Sequence, residues 1–197
     1  MSAAIRRLIV LLVVLGLFCW VFSGVIFQDR NFIYRDAGHF YYPLLKLVQE
    51  EWKAGRWPLW NPYENAGMPL LANPASAVLY PPRIVLFQWL PISYGAAYKW
   101  YILLHVLLAA ATAYAMARHW KASDWAAGVA ALCYGFGAVV MFQYCNVIFL
   151  VGAAWLPLGL MATDRALAEG DARWSVLLGI VLTMQTLGGD PEAAYLT

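Results

Sequence analysis

From Leu8 to Phe27 the chain carries no charged side chain. A helix needs about 20 apolar residues to cross the hydrocarbon core of a bilayer. This run has that length, and Arg6 and Arg7 precede it. The competing reading is a cleaved signal peptide, but its apolar region is only about 7–15 residues long. Around Cys19 the sequence is "LGLFC", with Phe18 where a lipoprotein signal needs a small residue. The segment is read as a retained transmembrane helix.

Four more apolar stretches follow, at about Tyr94–Ala117, Trp125–Gln143, Val147–Leu167 and Trp174–Leu187. Only 12% of residues are charged and 63% are hydrophobic. That charged share is about half of what a soluble domain carries. The expected fold is therefore an all-α integral membrane protein with about five transmembrane helices, forming a single transmembrane domain over 1–197. The net charge of +2 and the lack of a basic cluster interleaved with aromatics give no case for nucleic acid. Cys19, Cys133 and Cys145 lie in or beside apolar runs, without a C-x-x-C or a Cys/His pair at ligand spacing. They read as small hydrophobes rather than a disulfide framework or zinc site.

Counting crossings puts the N-terminus, "RHWKAS" and "TDRALAEGDAR" on one side. These short segments carry the Lys/Arg excess, so that side is expected to be cytoplasmic in a multi-pass cell-membrane protein. Residues 28–93 and the segment "GGDPEAAYLT" then face outward. Because that last segment has no polar tail, the chain is expected to be part of a larger protein.

The 28–93 loop is too rich in Trp and Tyr for a disordered linker. Within it, Tyr41, Leu44, Leu45, Val48 and Trp52 recur at helical spacing, with Lys46, Gln49, Glu50 and Lys53 opposite. Pro43 suits the first turn of this helix and Gly55 its end. Two such faces predict an amphipathic helix lying in the membrane interface. Residues 57–82 then hold six of the chain's ten prolines. Each proline removes a backbone donor and fixes a dihedral. That excludes a spanning helix and favours a stiff platform at headgroup depth, packed on protein or lining a wet cavity. Asn61, Asn65, Asn73 and Ser76 suit polyol ligands, and equally suit turn capping.

Candidate chemistry lies in two outer acidic segments. Asp36 sits between a span and the amphipathic helix, beside Arg35 and close to His39. A carboxylate there could act as a general base or cap the helix. Asp190 and Glu192 in "GGDPEAAY" reach the same face by the crossing count. Spacing alone does not name a reaction.

The stretch "RDAGHFYYPLLKLVQEEWKAGRWPLWNPYENAGMPLLANPASAVLYPP" resembles the first outer loop of the YfhO-like bacterial membrane protein family, within the GT-C fold glycosyltransferases. The features that carry it are the acid after the first span, "FYYP", G-x-W-P-L-W-N-P-Y, G-x-P-L-L-A-N-P and A-V-L-Y-P-P. "GGDPEAAY" is similar to a Gly-Gly-His-Pro-Gln motif of relatives, with Asp190 and Glu192 in place of His and Gln. The resemblance implies a GT-C-like N-terminal module of a fold with ten or more transmembrane helices. It implies a polyprenyl-phosphate-linked sugar donor and inverting transfer to a cell-envelope glycan or polymer hydroxyl at the outer bilayer surface. Asp36 matches the family's first-loop acid and would be the catalytic base, with Asp190 and Glu192 beside it. The departure at these two positions leaves a metal-capable carboxylate pair or a replaced polar contact as alternatives, and no cofactor beyond a possible divalent metal is implied. Arg35, His39, Trp60, Asn61, Asn73, Tyr80 and Arg83 are the candidate substrate contacts. Arg35, His39, Arg83 and Lys99 are the cations that could meet a donor phosphate, or equally snorkel to lipid headgroups. His105, inside a span, reads as a helix-packing residue. A lipid or polysaccharide transporter and a non-catalytic envelope scaffold are the competing functions.

Overall fold

The computed structural model describes residues 2–197 and is nearly all-helical. Helix α1 (Ala3–Val21) begins on Ser2, whose hydroxyl accepts from the Ile5 amide. A break at Phe22 separates it from the short α2 (Ser23–Phe27). A π-helical turn, Ala37–Tyr41, leads into α3 (Tyr42–Lys53). The Pro-rich segment forms a two-residue antiparallel hairpin, β1 (Trp60–Asn61) on β2 (Met68–Pro69). It continues through a 3₁₀ turn at Pro74–Ser76 to α4 (Pro81–Ile84) and a second π-helical turn, Val85–Trp89.

The bundle proper is built from α5 (Tyr94–His119), α6 (Asp124–Gly135), α7 (Ala138–Phe142), α8 (Val147–Glu169), α9 (Ala172–Leu187) and α10 (Pro191–Leu196). Ser93 and Ser123 cap α5 and α6 with their hydroxyls, each satisfying an amide that a helix start leaves without a partner. Gly170, at φ +65, ends α8. Pro157 lies within α8 without ending it.

Among the described residues, four segments are long and apolar enough to cross a membrane: Ala3–Val21, Tyr94–His119, Asp124–Cys145 and Val147–Glu169. The fifth expected span is α9, a shorter apolar helix of 16 residues. At 1.5 Å per residue it is about 24 Å long, less than the roughly 30 Å of a hydrocarbon core. The third span is composite. Its α-helix stops at Gly135, where a β-carbon would come within 2.7 Å of Ala110, and resumes as α7 and a 3₁₀ turn.

Small residues bring the helices close. Ala109 and Ala110 of α5, Ala127 and Ala131 of α6, and Ala154 of α8 are all buried. By contrast α1 is mostly uncovered, with Leu8, Leu11, Leu12 and Val13 exposed.

The ends of the bundle differ. At one end, Asp124 is buried among Arg6, Arg7 and Arg118, each 3.3 Å away, and Tyr114 donates to it. Beside it His119 meets Asp164 at 2.6 Å and accepts from Arg165, and the Arg165 guanidinium lies over the Trp174 ring. The three segments expected on one side therefore do converge. The other end carries the whole 28–93 loop.

That loop is folded. Leu44 and Val48 of α3 pack with Leu70 and Val78 in a small core of their own, while Leu45 joins the main core with Tyr80, Phe87, Tyr98 and Tyr101. The apolar face of α3, expected to rest on lipid headgroups, is thus covered by protein. Gln49, assigned to its polar face from spacing, is buried and donates to the Phe87 carbonyl at 2.6 Å. Tyr98 donates to the Ala37 carbonyl at 2.6 Å, and Asn31 to that of Gly95 at 2.9 Å, which fastens the loop to the first turns of α5.

Candidate active site

The site is assembled by two turns at the loop-bearing end. The first follows the left-handed Arg35 (φ 54) and runs through Asp36 into the Ala37–Tyr41 turn. Asp36 is exposed there, and its carboxylate makes no hydrogen bond or ion pair among the described residues. It does not cap the helix it precedes. Arg35 does not pair with it, but lies over the Phe142 ring at 5.9 Å.

The second turn is Gly188–Asp190. Asp190 is 6% exposed. One carboxylate oxygen accepts from the Ala193 amide at 2.9 Å and caps α10. The other lies against Gly152 of α8, where a β-carbon would stand 1.9 Å from it. Burial raises the Asp190 carboxyl above its ordinary value, the Ala193 amide opposes this, and the neighbouring Glu192 charge adds to it. Glu192 is exposed in the first turn of α10.

Tyr41 ends the first turn and is buried in the main core. Its ring is 5% exposed and its hydroxyl bonds to no protein group among the described residues. Burial pushes the phenol up to about 12, and the charges of Asp36 and Asp190 both add to that shift. Asp36 and Asp190 therefore lie within electrostatic reach of one phenol. Sequence reasoning placed Tyr41 on the apolar stripe of the amphipathic helix and gave it no role in the site.

The Pro-rich segment reaches the same place. Gly189 adopts φ +103, and a β-carbon there would lie 2.7 Å from the Pro74 carbonyl and 2.5 Å from Ile148. Only glycine lets this turn pass under the loop.

The remaining candidates fall into other environments. His39 and Asn61 line a groove of about 350 Å³ with Phe40, Pro43, Leu44 and Glu64. Asn61 is buried, donates to Glu64 at 3.2 Å and accepts from the Tyr63 amide. Asn73 accepts from the Ala75 amide and caps the 3₁₀ turn. Trp60 is 54% exposed and lays its ring over Gly67, whose φ of +109 lets the backbone turn beneath it.

Arg83 and Tyr80 are wholly buried. Arg83 donates to the carbonyls of Ala77 and Val78 at 2.8 and 3.0 Å, holding the left-handed turn at Ala77 (φ 45). No acid pairs with it among the described residues, and burial draws its guanidinium down to about 10. Tyr80 meets His105 Nε2 at 2.8 Å and accepts from Trp155 at 2.9 Å. His105 Nδ1 faces the Tyr101 carbonyl at 2.6 Å. A carbonyl can only accept, so Nδ1 carries the proton and Nε2 accepts from Tyr80. His105 is thus a satisfied packing residue. Lys99 is 8% exposed and pairs with Asp29 at 3.0 Å.

No three His, Cys, Asp or Glu side chains gather into a metal-ligand set among the described residues. One Asp190 oxygen is also held by the Ala193 amide, and the other is packed against Gly152. The residues present do not fit a divalent metal held by this chain alone.

No family model, no curated protein and no solved structure matches the chain. Fold and site define a helical membrane protein whose structured first loop is bound onto one end of the bundle.

Proposed function

We propose that this chain is the N-terminal, GT-C-like module of a membrane glycosyltransferase of the YfhO-like family. It would transfer a sugar from a polyprenyl-phosphate donor to a hydroxyl of a cell-envelope acceptor. The observation that carries the reading is the exposed Asp36 carboxylate, unpaired among the described residues, whose charge, like that of Asp190, acts on the buried Tyr41 phenol.

In this reading Asp36 takes the proton of the acceptor hydroxyl. The freed oxygen attacks the anomeric carbon from the face opposite the phosphate. The bond from that carbon to the phosphate oxygen breaks, and polyprenyl phosphate leaves with the electron pair. Inversion follows. The lipid phosphate stays at the membrane surface, where Arg35 and His39 are exposed and able to meet it. Arg83 and Lys99 are already engaged within the protein. Asp190 orders the turn that forms the other wall. The arginine-bearing end faces the cytoplasm, as its cluster of Lys and Arg favours.

The test is transfer of radiolabelled sugar from a polyprenyl-phosphate-linked donor by the full-length protein in detergent, with and without chelator. Transfer by the wild type that is lost in Asp36→Asn supports the reading. Donor carried across a sealed vesicle without transfer would replace it with a transporter.

A further inference from the structure

We propose that the arginine-bearing end of the bundle holds a binding site for an anionic phospholipid, between α1, α5 and α6. It is independent of the glycosyltransferase reading and lies at the opposite end from Asp36.

The site has an apolar part and a charged part. The apolar part is an open groove of about 430 Å³, walled by Val10, Leu11, Val14, Leu107, Ala110 and Ala111. It runs from Arg7 and Tyr114 at its mouth to Leu15 and Leu107 deeper in the bundle. Eight residues of α1 separate Arg7 from Leu15, so it extends about 12 Å along the helix. That length suits the upper part of one acyl chain.

The charged part is the cluster at the mouth. Arg6, Arg7 and Arg118 surround a single acid, Asp124. Both carboxylate oxygens are used, and Tyr114 takes a further lone pair. The other acids at this end are engaged elsewhere: Asp164 with His119, Glu169 with Arg165 and Trp174, and Asp171 with Arg173. Among the described residues, three cations and one anion leave a net positive mouth. Arg7 reaches Asp124 through Nε, and its side chain is 59% exposed at the rim of the groove. Its outer guanidinium edge is therefore presented to a phosphate, for which Arg offers paired donors.

Charge decides between occupants. A neutral apolar helix in the groove would cover its walls but bring no negative charge to the exposed Arg7 side chain at its mouth. A zwitterionic lipid brings its own cation to the mouth. An anionic phospholipid satisfies both parts, and basic pockets between transmembrane helices bind such headgroups.

The experiment is native mass spectrometry and thermal unfolding of the full-length protein, purified and then exchanged into micelles carrying phosphatidylglycerol or phosphatidylcholine. Wild type should retain phosphatidylglycerol preferentially and melt higher with it. Removing one interfacial arginine charge should lower that preference about fivefold. Arg7→Gln should show this loss and Arg7→Lys should regain most of it. Ala111→Trp fills the groove without touching the cluster, and should abolish retention of either lipid at this site. Equal retention of the two lipids by wild type would overturn the proposal. So would retention unchanged by Ala111→Trp, or by Arg7→Gln in a protein that remains folded. No lipid bound to wild type, as when another protein segment fills the groove, would also overturn it.

Discussion

A carboxylate oxygen of Asp190 rests where the β-carbon of residue 152 would be, and Gly152 is what admits it. A methyl group there would stand 1.9 Å from that oxygen and 2.9 Å from the Ala193 side chain. Gly152→Ala must therefore move Asp190, lift α10 from α8, or both. Overpacking of this kind costs about 1–3 kcal/mol. A lowered melting temperature, together with a loss of transfer activity as large as that of Asp190→Ala, is the expected outcome. A variant that melts and works like wild type would show that the turn does not depend on this contact.

Asp36→Asn should separate activity from stability. The carboxylate has no protein partner among the described residues, and a surface change of this kind stays within about 0.5 kcal/mol. Losing a general base costs about 10²–10⁴-fold in rate. Calorimetry and the transfer assay on the same preparation check both halves.

Asp190 gives a pH signature. Its folded carboxyl is raised above its ordinary value of 3.8, so between the two values the folded state holds a proton that the unfolded state has released. Stability then falls as pH rises from about 4 upward. Asn can also cap α10 but does not titrate. Wild type should lose stability relative to Asp190→Asn across that interval and run parallel to it above. A constant difference at all pH values would contradict the shift.

Tyr80→Phe removes a hydroxyl that serves two partners, the Trp155 indole and His105 Nε2. Each buried polar group left unpaired costs about 1–3 kcal/mol. The midpoint of unfolding should drop accordingly, with proteolysis beginning in the 57–82 segment. Resistance there equal to wild type would mean that the relay does not anchor the platform.

Membrane sidedness is tested at Lys121 and Glu192. Glu192 is exposed in α10. In a background without Cys19, Cys133 and Cys145, Glu192→Cys should react with an impermeant thiol reagent applied to intact cells, and Lys121→Cys only after lysis. Equal reaction of both from outside would defeat the orientation proposed above.

Much of this architecture was legible because apolar length and charge placement are local signals. Leu8–Phe27 and Tyr94–Ala117 announce helices, and the arginine-rich segments do converge on one end. Periodicity failed where tertiary contacts intervene. Gln49 lies on the polar side of its helix by spacing, yet the Phe87 carbonyl gives it a partner and buries it. Arg83 looked like a phosphate ligand because a sequence does not reveal the bare carbonyls of a left-handed turn at Ala77. Asp124 drew no attention, since two of its three arginines, Arg6 and Arg7, come from the distant α1.

The Tyr80 relay also bears on biosynthesis. Trp155 follows Tyr80 by 75 residues. At about 5–20 residues per second of synthesis, roughly 4–15 s separate the two. His105 can be met earlier, but α8 must be inserted before the triad closes. Through that interval the 57–82 segment lacks its final anchor, and its six prolines, which have no amide to donate to a strand ladder, disfavour pairing with other strands. Completion of the platform is timed by the arrival of the fourth span.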